Sequence, residues 1–299
     1  MTDYETILYE TFDDGTIAKI TLNRPKQRNA QNRVLLVELN EAFLAAEADD
    51  QVRVVILAGA GPAFSSGHDF KQDWRPENND HPSYRVNGGT RKGVESLMLQ
   101  EWHHYYQNTL RWRNLRKITI ASVHGGVYSA ALMLMWACDL VVAAEGTRFA
   151  DMVGNRFGVC GVEYFAHPWE FGPRKTKEMM LTGDSIDVDE AFALGMINKV
   201  FPLDALEERT LEFARRVAAM PTMASLLIKE AVNQTVDIQG FQNALNATFT
   251  LHELNHAHWR HITDDDNPCG TPEFGLPAWD DFPPILPYER DTAQADPPS

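Results

Sequence analysis

The chain has 299 residues, with 27 Lys+Arg against 42 Asp+Glu and a formal net charge of -15 at pH 7. This length suits one large α/β domain or two modest ones, and either can bury a substantial core. The acid excess argues against nucleic acid or anionic membrane as the main partner. In chain order, two alternating segments, 7–11 and 16–22, flank Asp13-Asp14-Gly15 and predict a hairpin. A polar loop, 23–30, leads into an amphipathic helix over 33–48, with Leu35, Leu36, Leu39, Phe43 and Ala46 on one face. The run 52–58 predicts a strand buried on both faces, and strand, helix, strand at this spacing implies a parallel sheet.

A tight small-residue turn follows at 64–70. The aperiodic stretch from about Lys71 to Gly93 has the character of a lid, and a helix is predicted from about Val94 to Leu115. Between Ile118 and Glu145 a β-branched run stops at Gly125-Gly126 and an Ala/Leu/Met segment continues to Cys138, which reads as buried strand, sharp turn, buried helix. A helix entered through small residues points unpaired N–H groups at the turn, where they can stabilise an oxyanion. A strand over 139–144, a loop over 149–161 and mainly helical segments from Val162 to about His258 complete the ordered part. The tail, 263–299, holds nine acids, one Arg and eight of the sixteen prolines, so it is expected to be extended or disordered.

Cys138, Cys160 and Cys269 are too scattered for a disulfide framework and form no Cys-x-x-Cys pattern, so no metal is expected. The N-terminus does not read as a signal peptide, and no run reaches the roughly 18 apolar residues of a membrane span. The expectation is a soluble, cytoplasmic protein without a membrane partner.

Leu22-Asn23-Arg24-Pro25, Asn29-Ala30, Phe64-Ser65-Ser66-Gly67-His68-Asp69, Ile120 to Gly125, Cys138-Asp139, Leu181 to Asp184, Ala191 to Gly195 and Asn198 to Pro202 stand in a fixed order. That order and spacing resembles the crotonase superfamily, the enoyl-CoA hydratase/isomerase family, over about residues 5 to 260. The resemblance implies an α/β fold, a crotonase-like spiral of ββα turns (1–200), followed by a C-terminal helical trimerisation region (201–262) and the acidic tail (263–299). It also implies a homotrimer or homohexamer and an acyl-CoA thioester as substrate. No cofactor is implied beyond the coenzyme A that the substrate carries.

The resemblance assigns the oxyanion hole to the backbone N–H groups of His68 and Ala130, with Ser129-Ala130-Ala131 standing where the family has glycines. It assigns coenzyme contacts to Arg24, Lys26, Arg28 and Ala30, whose charges suit phosphates. Both usual catalytic Glu residues are replaced, one by Met133 and the other by Val153 or Gly154, so hydration by the usual pair is not supported. Asp151 and Glu163 are the candidate replacement acids, Glu163 being read at the start of the next helix. Tyr128 either donates a hydrogen bond to the ligand or fills the acyl pocket beside Met133. His68 could also act through its imidazole, and His124 is read as a buried, hydrogen-bonded histidine. Asp69 and Asp139 are read as structural. The leading expectation is an acyl-CoA enzyme working through an enolate, nominally a hydratase or isomerase of fatty-acid or related acyl-CoA metabolism. The alternative is a crotonase-fold protein that binds acyl-CoA or a partner without turnover.

Overall fold

A computed structural model of the chain describes residues 4–71, 78–263 and 274–276. Its strands are β1 (Ile7–Phe12), β2 (Ile17–Leu22), β3 (Val54–Gly59), β4 (Ile118–Val123), β5 (Gly126–Tyr128), β6 (Leu140–Ala144), β7 (Arg148–Ala150), β8 (Ile186–Asp187) and β9 (Lys199–Phe201). Its helices are α1 (Arg33–Ala48), α2 (Gly93–Glu101), α3 (Asn108–Arg113), α4 (Ala130–Trp136), α5 (Val153–Phe157), α6 (His167–Thr182), α7 (Val188–Ala193), α8 (Leu206–Ala218), α9 (Thr222–Ile238) and α10 (Phe241–Thr263).

The larger sheet runs β1-β2-β3-β4-β6-β9, antiparallel only at the β1/β2 hairpin, and the smaller runs β5-β7-β8. The hairpin forms because Asp13, Asp14 and Gly15 all take positive φ, as a tight turn demands. Asn32 caps α1 by accepting from Leu35 N at 2.9 Å, and the predicted apolar face of that helix is buried on the sheet. Successive strands cross from the large sheet to the small one and return through a helix: β4, β5 and α4 make one turn, and β6, β7 and α5 the next. This is the expected spiral of ββα turns. The other face of the sheet, with Ile17, Val54, Ile56, Ile120 and Val142, is covered by Leu206, Ala214 and Ala218 of α8, so the central strands are buried on both sides.

Three expectations change. The segment 149–161, read as a loop, contains most of β7 and all of α5, elements too short to show a period. The helix over 94–115 is interrupted by a π-helical turn, Trp102–Gln107, between α2 and α3. Glu163 does not start a helix but lies in irregular chain before α6. Within the lid-like stretch, residues 72–77 lie outside the described residues, while Ser83 and Tyr84 are buried in a 3-10 turn. Most of the tail also lies outside the described residues, but Phe274 packs edge-on against Trp259 and Leu276 is buried. Among the described residues no helix is long and apolar enough to cross a membrane.

Candidate active site

The polar loop after β2 and the turn carrying His68 form one hydrogen-bonded unit. Gln31 N donates to Gly67 O at 2.8 Å, Asp69 N to Gln31 O at 3.1 Å and Ser66 N to Arg28 O at 3.0 Å. Ser65 Oγ adds a bond to Asn29 O at 2.8 Å, and the Arg24 guanidinium bonds both Ala30 O and, at 2.8 Å, Asp69. Gly67 has φ +89°, and a Cβ there would lie 2.8 Å from Tyr128 O and 3.2 Å from Ala130 N. Only glycine allows the His68 turn to approach the start of α4 this closely. Ser129, where the turn enters α4, is held at φ 49°, ψ -117° without a side-chain capping bond. Glycine is the residue such a conformation favours, so Ser129 carries strain of about 1–3 kcal/mol.

Beside this turn is a cavity of about 130 Å³ whose walls include Arg33, His68, Tyr105, Val153 and Glu163. His68 Nε2 donates to the Glu163 carboxylate, 3.1 and 3.2 Å from its two oxygens, and His68 Nδ1 is buried without a partner. Burial alone would raise the Glu163 pKa, but the His68 charge and hydrogen bond, helped by His252, hold it down at about 2. The ionised form is thus favoured at a side chain only 3 % exposed. Tyr105, presented by the π-helical turn, stacks on His68 at 3.9 Å between centroids. Arg33, on the first turn of α1, lies over the Tyr105 ring and is buried with Nε and Nη1 unpartnered.

The same cavity is lined by Glu101, His252 and His256, all buried. One carboxylate oxygen and one ring nitrogen from each histidine lie within 4.8 Å of one another, so these three side chains could hold a metal ion. Sequence reasoning missed this group. Its signal was legible: His252-Glu253-Leu254-Asn255-His256 spells H-E-x-x-H inside a helical segment. Nothing in the sequence marks Arg33 or Glu101 as companions.

The other predicted residues fall elsewhere. Asp151 is fully buried, accepts from Val153 N at 3.2 Å and from His167 Nε2 at 2.9 Å, and does not line the cavity. The candidate acids are thus separated, and only Glu163 faces the His68 turn. Met133 is 2 % exposed within the apolar core and also stays out of this cavity. Tyr128 is half-buried, its ring folded over Gly126. Of the two positions read for the second lost Glu, Val153 lines the cavity, whereas a Cβ at Gly154 would collide with Met180 O. Arg24 is spent on Asp69 and Ala30, which leaves Lys26 and Arg28 as the exposed cations of that loop. Asp69 also accepts from Lys71 N at 3.2 Å. His124 is half-buried and donates to Gly61 O at 2.8 Å. Asp139 accepts from Thr119 N and Oγ1 and from Lys229, tying β4 to α9.

Comparison with known proteins gives a consistent picture. The profile of the family described as Enoyl-CoA hydratase/isomerase matches residues 13–262. A putative enoyl-CoA hydratase of Mycobacterium tuberculosis, EchA13, is 63% identical over 290 residues, covering 95% of this chain and 91% of that protein. A 4-chlorobenzoyl coenzyme A dehalogenase-2 of an Arthrobacter species is 29% identical over 74% of this chain and 75% of its own. Among solved structures, a probable enoyl-CoA hydratase from Mycobacterium smegmatis superimposes with a TM-score of 0.78 at 39% identity, covering 87% of this chain and 98% of its own.

Proposed function

Since the chain belongs to the enoyl-CoA hydratase/isomerase family, we propose that it is an enzyme acting on an acyl-CoA thioester through an enolate. The thioester oxygen takes hydrogen bonds from the backbone N–H groups of His68 and Ala130, each worth about 3 kcal/mol of barrier when charge develops there. Lys26 and Arg28 supply positive charge for the coenzyme phosphates. Proton transfer is assigned to the His68–Glu163 pair. Glu163 takes the Nε2–H and so leaves Nδ1 to exchange a proton with the substrate carbon, the role a carboxylate plays behind a catalytic histidine.

The observation that carries this reading is the approach of both Glu163 oxygens to His68 Nε2 inside the cavity. Ordinary hydration by two carboxylates does not fit, because neither Met133 nor Val153 can move a proton. Family membership does not name the reaction, as the similarity to a protein named as a dehalogenase illustrates. Subunit association is part of the proposal, and apolar side chains exposed on α9 (Met223, Leu227, Ile228, Val232) favour it.

Loss of both usual acids favours a second reading, binding of acyl-CoA without turnover. The deciding experiment incubates the protein with crotonyl-CoA, longer 2-enoyl-CoA and 3-enoyl-CoA thioesters, and follows products by mass. Turnover of any of them is expected. CoA-ester binding with no turnover on the whole panel would overturn the enzyme reading in favour of the second.

A further inference from the structure

His252 and His256 stand at i and i+4 on α10, which puts both imidazoles on one face of the helix, toward the cavity. Their Nε2 atoms are 3.0 Å apart. Two ring nitrogens can face each other at that distance through an N–H···N hydrogen bond, one ring donating to the other, or through a metal ion that both ligate. Glu101 Oε2 lies 3.7 Å from each Nε2 and, although buried, accepts no hydrogen bond. A triangle with these three sides has its centre roughly 2.0 Å from every corner, the length of a Zn–N or Zn–O bond.

The surroundings fit the same role. His252 Nδ1–H donates to Gly161 O at 2.7 Å, which fixes the ring and turns its Nε2 lone pair inward. This outer hydrogen bond is the usual companion of a metal-bound histidine. Two imidazoles and one carboxylate suit a borderline divalent ion and not Mg²⁺ or Ca²⁺, which prefer oxygen alone. Glu163 Oε1 is 3.8 Å from His252 Nε2, so the group adjoins the His68–Glu163 pair without including it.

We propose that Glu101, His252 and His256 bind one Zn²⁺ ion, with its remaining coordination position open to the cavity. A water held there would be acidified toward neutral pKa, giving this site a source of hydroxide beside the proposed proton-transfer pair. Metal binding is independent of the acyl-CoA reading, since stoichiometry is measured without turnover.

The test uses the full-length protein, stripped with a chelator and titrated with zinc sulfate against a chromophoric competitor, with Co²⁺ as a spectroscopic substitute. The expected result is one Zn²⁺ per chain, and Co²⁺ visible bands of a four- or five-coordinate site. His256→Ala and Glu101→Gln should each weaken binding by ~100-fold or more, given that even outer partners of ligands are worth about 10–100-fold. His258→Ala, which removes an exposed imidazole on the same helix, should change nothing. Substoichiometric uptake by the wild type would overturn the proposal and leave a proton shared between the histidines. A His258→Ala variant weakened as much as His256→Ala would overturn it as well. Should His256→Ala fail to fold, the near-isosteric Glu101→Gln decides, and wild-type affinity in that variant also overturns the proposal.

Discussion

At the scale of single residues, the proposed proton transfer rests on the paired ring and carboxylate of His68 and Glu163. Glu163→Gln and His68→Gln, both of which keep the backbone N–H of residue 68, should each lower kcat/KM by about 10²–10⁴, while calorimetric affinity for a CoA ester stays near wild type. Met133→Glu would bury a carboxylate in the apolar core. It should destabilise the fold by a few kcal/mol and give no gain in crotonyl-CoA hydration, measured by loss of enoyl absorbance. Ser129→Gly should instead stabilise by about 1 kcal/mol, a rise in Tm of roughly 2–4 °C, by relieving the turn that enters α4. The sequence made Glu163 and the His68 imidazole visible as separate candidates but not their pairing, because the two residues are 95 positions apart. Asp151 looked equally eligible, since a sequence does not reveal that His167 occupies its free oxygen.

At the scale of elements, the strands and long helices were legible because their apolar periods are long enough to read. β7 and α5 were not, at three and five residues, and the π-helical turn does not keep the 3.6-residue period that marks a helix. The π turn matters to the site, because it sets Tyr105 against His68 just beyond Glu101. Two ion pairs lock elements together and should act on stability alone. Lys229 of α9 reaches the partly exposed Asp139 at 2.9 Å, and Lys229→Ala should cost about 1–2 kcal/mol in urea unfolding, since a charge-assisted hydrogen bond is lost. Asp151→Asn should cost about 1–3 kcal/mol yet leave kcat of the folded protein within about twofold, which separates a structural acid from a catalytic one.

At the scale of the whole molecule, the C-terminal helices present more apolar surface than a solitary subunit needs. Met223, Leu227 and Val232 of α9 are each more than half exposed, and Leu227→Glu with Val232→Glu should shift the mass measured by light scattering from that of the proposed trimer or hexamer toward the monomer. The ladder joining residues 24–31 to the His68 turn has another consequence, for the remote part of the substrate. The loop proposed to offer charge to the nucleotide end of coenzyme A shares its hydrogen bonds with the amide proposed to meet the reacting carbonyl. Adenosine phosphates docked some distance from the chemistry would thereby hold that amide in register. An acyl-pantetheine, identical at the thioester but lacking the nucleotide, should then turn over more slowly even at saturation, its deficit appearing in kcat as well as in KM.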